Sequence, residues 1–183
     1  MKITITNVRL AFPNIFEPKV NEQGKAQFGA AFIFAADHAV KKQLDKAIDE
    51  VGQAKWGATK WPAMKKQMMA GDNLLIHNGD AKASLDGYEG NLYVNAYNTV
   101  RPTVVDRDTS PLVAADGKPY SGCYVNAVLD IWAQDNQYGK KVNAQLQGVQ
   151  FSKDGDAFAG GGKAAEASDF EAISEGADAE ELV

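Results

Sequence analysis

An alternation of apolar and polar residues with a period of two, clearest over residues 90–102, most constrains how this chain can fold. The two faces of this stretch carry Leu92, Val94 and Ala96 on one side and Tyr93, Asn95 and Tyr97 on the other. Such a pattern predicts a half-buried strand. Its exposed side would hold two tyrosines, with Arg101 just beyond the end of the strand. A surface that combines rings with a cation suits bases and phosphates.

Four further segments share this alternation and predict additional strands. They are residues 2–12, 25–36, 122–133 and 140–151, with a shorter candidate at 74–76. The phase slips by one residue near Asn7 and again at Gly148, which predicts a β-bulge at each position. The first bulge would change the direction in which Arg9 points. Residues 13–24 and 104–117 are predicted connections, and residues 136–139 a turn.

One helix is predicted after the second strand. Asp37 can cap its N-terminus, and Val40, Leu44, Ile48 and Val51 then recur at helical spacing. The charged residues between them indicate a solvated opposite face.

The stretch from residue 52 to 71 combines tryptophans and methionines with lysines, and it predicts a loop and a short helix opened by Pro62. Two interpretations of Trp56 and Trp61 stand side by side. The first, which we favour, places the rings against the hydrophobic core. The second makes them part of a basic, aromatic loop beside a nucleic-acid groove, and for that reason we keep Trp61 as a candidate DNA contact.

These elements predict a mainly β protein: an OB-fold variant in which a five-stranded antiparallel barrel carries an inserted helix. A sandwich with one helix would produce a similar pattern. We expect the folded domain to span residues 1–158. Residues 159–183 are expected to form a Gly-rich hinge and a disordered acidic tail, because their composition buries too little apolar surface to offset the entropy of ordering.

Charge is distributed unevenly along the chain. All 19 lysine and arginine residues lie at or before Lys163, whereas seven of the 24 acidic residues follow it. Residues 1–163 therefore carry a net charge of +2, and the last 20 residues carry −7. The formal net charge of −5 thus describes neither part, and it does not argue against a polyanionic ligand for the folded domain.

Enzymatic motifs are absent from the sequence, which lacks a phosphate loop, a dinucleotide fingerprint, a Gly-x-Ser-x-Gly elbow and a paired-histidine zinc motif. The single cysteine, Cys123, falls in the apolar phase of its strand, which favours a buried structural thiol. Two histidines are too few for a dense zinc cluster. We therefore expect a non-enzymatic protein without a cofactor. The alternative, a metal-dependent nucleic-acid enzyme, would use Asp80, Asp86 and Asp130.

Binding signals are stronger than catalytic ones. The candidate DNA-binding residues are outward aromatic rings and nearby cations, namely Arg9, Phe12, Trp61, Tyr93, Tyr97, Arg101, Tyr124, Trp132, Lys140 and Lys141. Each base stacked on a ring contributes about 1–3 kcal/mol. In the alternative interpretation Tyr124 and Trp132 form a second core layer beneath the helix, as Val128 between them suggests. Asp130 on the same face also argues against a uniformly cationic groove.

Four stretches resemble one known family, in the same order along nearly the whole chain. They are NVRLAFPNIFEP at 7–18, YEGNLYVNAYN at 88–98, YSGCYVN at 120–126, and the Gly-rich, acidic segment at 156–170. The family comprises phage replication proteins, once described as a domain of unknown function, that bind single-stranded DNA. The resemblance implies an OB-fold variant with an unstructured acidic C-terminus. It also implies coating of single-stranded DNA during phage replication and recombination.

The resemblance further implies that the acidic tail recruits other replication proteins. An acidic segment can also compete with DNA for a cationic groove, or it can serve solubility alone. Candidate partner-binding residues are Asp169, Phe170, Glu171, Glu180 and Glu181. In several single-strand binders the tail ends in an aromatic residue, whereas here Phe170 is followed by residues 171–183. The partner contact is therefore made either by Phe170 or by the terminal Leu182 and Val183.

The expected setting is the host cytoplasm, without a membrane association, because the apolar runs are too short to span a bilayer and no leader follows Met1. The oligomeric state, a homodimer included, is left open. A structural or assembly protein, such as a virion component whose aromatic faces bury protein partners, is the alternative from another functional class.

Overall fold

The computed structural model describes residues 1–159, which form seven strands and two α-helices. The strands are β1 (Lys2–Val20), β2 (Ala26–Phe34), β3 (His77–Asn78), β4 (Leu92–Asn98), β5 (Thr103–Val105), β6 (Tyr124–Asn136) and β7 (Gly139–Lys153). The helices are α1 (Ala39–Trp56) and α2 (Trp61–Ala70), and both lie between β2 and β3. The acidic tail predicted from the sequence lies outside the described residues.

Five of the strands close into a barrel. The sheet order β4-β2-β1-β6-β7 consists of antiparallel pairs, and a parallel contact between Tyr97 of β4 and Gln145 of β7 joins its two ends. The two shortest strands are additions to this barrel, β3 beside β4 and β5 beside β7. A closed five-stranded barrel with helices inserted between its strands confirms the predicted OB-fold variant.

The barrel interior is the main hydrophobic core, and it follows from the alternation in the sequence. The inward residues of β6 are Val125, Ala127, Leu129 and Ile131, all at most 1% exposed. Cys123, which precedes β6, is buried with them as predicted. Burial raises the pKa of its thiol to about 11, so the thiol stays protonated at neutral pH and is a poor nucleophile.

Helix α1 packs its apolar face onto this core through Val40, Leu44 and Ile48, as the helical spacing predicted. The predicted cap at Asp37 is wrong by one residue. His38 is the N-cap, and its Nδ1 accepts a hydrogen bond from the backbone N–H of Val40 at 3.1 Å. The N-terminus of α1 is therefore capped by an imidazole nitrogen and not by the predicted carboxylate of Asp37.

Both predicted bulges are present. The β1–β6 register shifts between Ile5 and Val8, with Asn7 at φ 55°, and the β6–β7 register shifts beside Gly148. A third bulge was missed. Pro13 lies in a shift of the β1–β2 register, where its missing N–H is not needed by the ladder.

Three boundaries predicted from the sequence are corrected by the structure. β1 continues through the third bulge to Val20, so residues 13–24 are mostly strand and not a connection. The short strand expected at 74–76 is instead β3, one residue further on, and β5 lies at the start of the expected connection after residue 102. Strands this short carry too few residues for a period-two pattern to reveal them.

A second, smaller apolar cluster lies on the outside of the barrel. We call it the outer cluster, and it consists of Ala11, Ala31, Ile33, Tyr88, Tyr93 and Phe158. It covers the outer face of β1, β2 and part of β4. Tyr93 points away from the barrel interior, as its phase predicted, but only 6% of it is exposed. Its prediction as an open stacking residue is therefore wrong, because Tyr88 packs edge-on against it with ring centroids 5.0 Å apart.

Trp61 belongs to the core, as the favoured interpretation held. It is 2% exposed, stacks on Trp56 at 5.6 Å between centroids, and donates a hydrogen bond from Nε1 to Asp49 Oδ1 at 2.8 Å. A Cβ on Gly52 would lie 2.5 Å from its ring, so the absence of a side chain there makes room for it. Its candidacy as a DNA contact is therefore wrong. Pro62 stands in the first turn of α2, as predicted.

We predict that Trp61→Ala lowers the free energy of unfolding by about 3–5 kcal/mol, because it leaves a large cavity beneath α1 and α2. Urea denaturation followed by circular dichroism measures this change. Trp61→Phe, which keeps an aromatic ring in the site, is the control and should lose less. A Trp61→Ala variant as stable as the parent would contradict the placement of this ring in the core.

Candidate nucleic-acid interface

A groove lies on the outside of the barrel where β4, β7 and β6 run side by side. Its volume is about 580 Å³. The segment between α2 and β3, residues 72–75, forms one wall and is tied to the barrel by a hydrogen bond from the N–H of Val142 to the carbonyl of Asn73 at 3.1 Å. The closing contact between β4 and β7 lies within this groove, so barrel closure assembles it.

Two predicted aromatic residues, Tyr97 and Trp132, are exposed in this groove, by 48% and 44% respectively. Tyr97 is paired with Gln145 of β7, and Trp132 is paired with Asn143 on the other side of the same strand. Two strand spacings and a two-residue offset put their Cα atoms about 12 Å apart. The structure thus brings together two rings from strands that are distant in sequence. The exposure of Trp132 contradicts the alternative in which it belongs to a second core layer beneath the helix.

The position of Tyr97 depends on Gly29, its partner on β2. A Cβ on Gly29 would overlap the Tyr97 ring, so the missing side chain lets the ring lie over the β2 backbone. Burial, and then the neighbouring Tyr93, raise the pKa of Tyr97. Its phenol therefore stays neutral at physiological pH, and no negative charge is added to the groove.

Two lysines, Lys25 and Lys141, line the groove and are exposed. Neither has an ion-pair partner among residues 1–159. Asp130 also lines the groove, but its carboxylate accepts a hydrogen bond from the amino group of Met1 at 2.7 Å. The positive charge of this amino group offsets the negative charge that Asp130 brings to the groove.

Amide side chains complete the lining. Asn98 Nδ2 donates to the carbonyl of Leu146 at 2.8 Å, and Gln145 Nε2 donates to Asn98 Oδ1 at 3.2 Å. Asn143 Nδ2 donates to Gln134 Oε1 at 3.1 Å. Amides offer both donors and acceptors to the edges of unpaired bases without favouring one base by charge.

Tyr124 lies outside the groove, at the other end of β6. It is eight residues from Trp132, which corresponds to about 26 Å along a strand. Tyr124 is half-buried, with Lys153 Nζ 4.5 Å and Arg9 Cζ 5.6 Å from its ring centroid. The two rings share a face of the sheet, as predicted, but they do not form one stacking platform.

Arg9 is engaged within the protein. Its Nη2 donates to the carbonyl of Asp156 at 2.8 Å, its Nε donates to the carbonyl of Gly122 at 3.2 Å, and its Cζ lies 4.3 Å from the ring centroid of Phe158. The guanidinium thus fastens the last described segment to the barrel. Arg9 stands two residues after the bulge at Asn7 and does not line the groove.

Lys140, Arg101 and Phe12 also stand apart from the groove. Lys140 Nζ contacts Asp135 Oδ2 at 2.6 Å, and Trp56 Nε1 donates to the same oxygen at 2.8 Å. Lys140 therefore faces the end of α1, whereas its neighbour Lys141 faces the groove. Arg101 lies over the ring of Phe16 at 5.8 Å. Phe12 is 55% exposed beside the outer cluster.

Two exposed residues were missed in the sequence: Lys25, which lines the groove, and Tyr138, at the tip of the β6–β7 hairpin. Lys25, which precedes β2, was counted only as the start of a strand. Tyr138 is 76% exposed at the tip of the two-residue β6–β7 hairpin. The predicted turn at 136–139 contained the signal, because a tyrosine in so tight a turn has no core to enter.

The three carboxylates named for a metal-dependent enzyme, Asp80, Asp86 and Asp130, do not form one cluster in the part of the chain that the structure describes. No group of three His, Cys, Asp or Glu residues in residues 1–159 could hold a metal ion. Asp80 accepts a hydrogen bond from the N–H of Gly90, and Asp86 accepts one from the N–H of Ala159. No helix within this range is long and apolar enough to span a bilayer.

Comparison with known proteins finds similar sequences in bacteriophages. A sequence profile for the Enterobacter phage Enc34 ssDNA-binding protein matches residues 1–183. Putative protein p50 of Acyrthosiphon pisum secondary endosymbiont phage 1 is 46% identical over 167 residues, which are 90% of either chain.

Solved structures agree with these relatives. The single-stranded DNA-binding protein from bacteriophage Enc34, in complex with ssDNA, has a TM-score of 0.72 and 29% identity over 85% of this chain and 88% of that chain. The gp2.5 single-stranded DNA binding protein encoded by bacteriophage T7 has a TM-score of 0.57 over 83% of this chain and 91% of that chain. At 10% identity, that likeness concerns the fold alone. The chain belongs to the family of the Enterobacter phage Enc34 ssDNA-binding protein, as its resemblance to phage single-strand binders predicted.

Proposed function

We propose that this protein binds single-stranded DNA with little sequence preference, in the groove between β4, β7 and β6. The observation that carries the proposal is the pair of exposed rings, Tyr97 and Trp132, in one groove with two lysines that lack carboxylate partners within residues 1–159. A family relative solved in complex with ssDNA supports it. Bases stack on the rings, and Lys25 and Lys141 contact the phosphates between them.

The energetics fit a binder of moderate affinity. Two stacked bases contribute about 2–6 kcal/mol at about 1–3 kcal/mol each. A micromolar dissociation constant corresponds to about 8 kcal/mol, so the lysines and amides must supply the remainder. Stacking tolerates any base because every base has a ring face, which explains why such a groove needs no base-specific hydrogen bonds.

We place this activity in phage DNA replication and recombination, in the cytoplasm of the host cell. The acidic tail is proposed to compete with DNA for the groove and to recruit replication proteins, with Phe170 and its acidic neighbours as the contact. The supporting observation is charge: the last 20 residues carry −7 and no lysine or arginine. A tethered anionic segment acts at a high effective concentration.

The first prediction concerns the rings. Tyr97→Ala and Trp132→Ala should each weaken oligo-dT binding by about 5- to 150-fold, because each removes one stacked base. Tyr124→Ala is the matched control: it removes an aromatic residue from the same face of β6 outside the groove, and affinity should stay close to that of the parent. Fluorescence anisotropy measures all three. An equal loss in Tyr124→Ala and Trp132→Ala would show that DNA does not select the groove.

The second prediction separates two adjacent lysines. Lys141→Gln should reduce the slope of log K against log salt concentration by about 0.7, the amount expected for one phosphate contact on a single strand. Lys140→Gln should change the slope much less, because Asp135 already pairs with Lys140. The measurement is a salt titration of oligo-dT affinity. If the two variants behave alike, the assignment of Lys141 to the phosphates fails.

The third prediction concerns the tail. Deletion of residues 164–183 should tighten oligo-dT binding, most at low salt, because screening weakens the competing charge as salt rises. A full-length variant with its seven tail carboxylates changed to amides keeps the chain length and should behave like the deletion. Equal affinity of parent, deletion and amide variant would restrict the tail to partner binding or solubility.

A further inference from the structure

Beside the outer cluster lies an exposed aromatic residue, Phe12, that does not line the groove. Phe12 stands in the third bulge of β1, between the pairs Ala11–Ala31 and Asn14–Gly29, with φ 48°. The bulge adds one residue to β1 relative to β2. In a regular strand the Phe12 side chain would point into the barrel, as that of Leu10 does, but here it is 55% exposed. A left-handed backbone is unfavourable for a bulky residue, and such conformations concentrate at ligand-binding positions.

Next to Phe12 lies a tyrosine whose buried hydroxyl has no hydrogen-bond partner within residues 1–159. This residue, Tyr88, is 1% exposed, and its ring centroid is 6.3 Å from that of Phe12. Buried tyrosine hydroxyls in folded proteins nearly always have one. Burial, followed by the nearby Tyr93 and Tyr97, raises the pKa of Tyr88 to about 12. The hydroxyl is therefore a neutral group that can both donate and accept.

A cation lies against the same rings. Lys82 Nζ is 4.7 Å from the ring centroid of Tyr93 and 5.6 Å from that of Tyr88. In the part of the chain that the structure describes, no carboxylate comes within ion-pair distance of it. An ammonium group held by aromatic rings alone keeps its charge available for a phosphate.

The surface around Phe12 lies on β1, which is separated from the groove strand β4 only by β2. Tyr97 lies over Gly29 of β2, and Gly29 pairs with Asn14 of β1, two residues beyond Phe12. Two strand spacings, about 10 Å, separate β4 from β1. A strand of DNA that leaves the groove past Tyr97 and crosses β2 therefore arrives at Phe12, without passing over a side chain at position 29.

We propose that Phe12, Tyr88 and Lys82 form a second nucleotide-binding subsite for the single-stranded DNA that leaves the groove. A base stacks on the Phe12 ring. When the base binds, the Phe12 side chain shifts away from Tyr88, and the Tyr88 hydroxyl makes a hydrogen bond to the edge of the base. Lys82 contacts the adjoining phosphate. The subsite rests on the proposed function, because it extends a strand already held by Tyr97 and Trp132.

The test compares two lengths of oligo-dT, about 4 and about 16 nucleotides, the limits of the site size of one OB fold. Phe12→Ala should weaken binding of the long oligomer by about 5- to 150-fold, and that of the short oligomer, which fits the groove alone, very little. Tyr88→Phe removes only the hydroxyl and should weaken long-oligomer binding by about 2- to 12-fold. Its melting temperature should not fall, since the lost group has no partner within residues 1–159.

Val113→Ala is the control, because Val113 is a 53% exposed apolar residue in the segment between β5 and β6, outside the groove and the proposed subsite, and it should change neither affinity. Equal affinities of parent, Phe12→Ala and Tyr88→Phe for the long oligomer would overturn the subsite. So would losses that are the same at both lengths. Failure of the proposed function is distinct: the parent would then bind neither oligomer, or Trp132→Ala would bind both as well as the parent.

Discussion

The parallel contact between β4 and β7 is the interaction on which the rest of the structure depends. It joins Tyr97 to Gln145 and turns a sheet of antiparallel pairs into a closed barrel. Closure buries the inward residues of all five strands in one core. The same contact places Tyr97 of β4 on one side of β7, and Trp132 of β6 lies on the other side. The groove therefore exists only when the barrel is closed.

The outside of the barrel is divided into a covered part and an open part. Tyr88 and Phe158 cover β1, β2 and the first half of β4, and Arg9 holds the segment that carries Phe158. The second half of β4 stays open and forms the groove. Tyr93 and Tyr97 therefore differ in role, although they lie on the same face of β4 and are only four positions apart. This division also explains why Tyr93 does not join Tyr97 in the groove.

The alternation in the sequence predicted much of this fold. It assigned the inward residues of β6, located the bulges at Asn7 and Gly148, and put Tyr97 and Trp132 on the outside. It did not distinguish Tyr93 from Tyr97, because exposure on an outer face depends on what packs over it, and the alternation within β4 does not show that Tyr88 packs against Tyr93. The neutralisation of Asp130 by the amino group of Met1 was equally hidden, since contacts between distant segments leave no periodic signal. The separation of Tyr124 from Trp132, by contrast, follows from counting residues along an extended strand.

The central claim is that DNA lies across the outside of β6, β7 and β4, against Trp132. The chain has three tryptophans, and the other two, Trp56 and Trp61, stack on each other at the helices. Intrinsic tryptophan fluorescence during an oligo-dT titration therefore tests the claim most directly. We predict saturable quenching in the parent protein and its loss in Trp132→Phe, while anisotropy of labelled oligo-dT shows that this variant still binds. Quenching that persists unchanged in Trp132→Phe would contradict the account, because DNA would then approach the helices and not the groove.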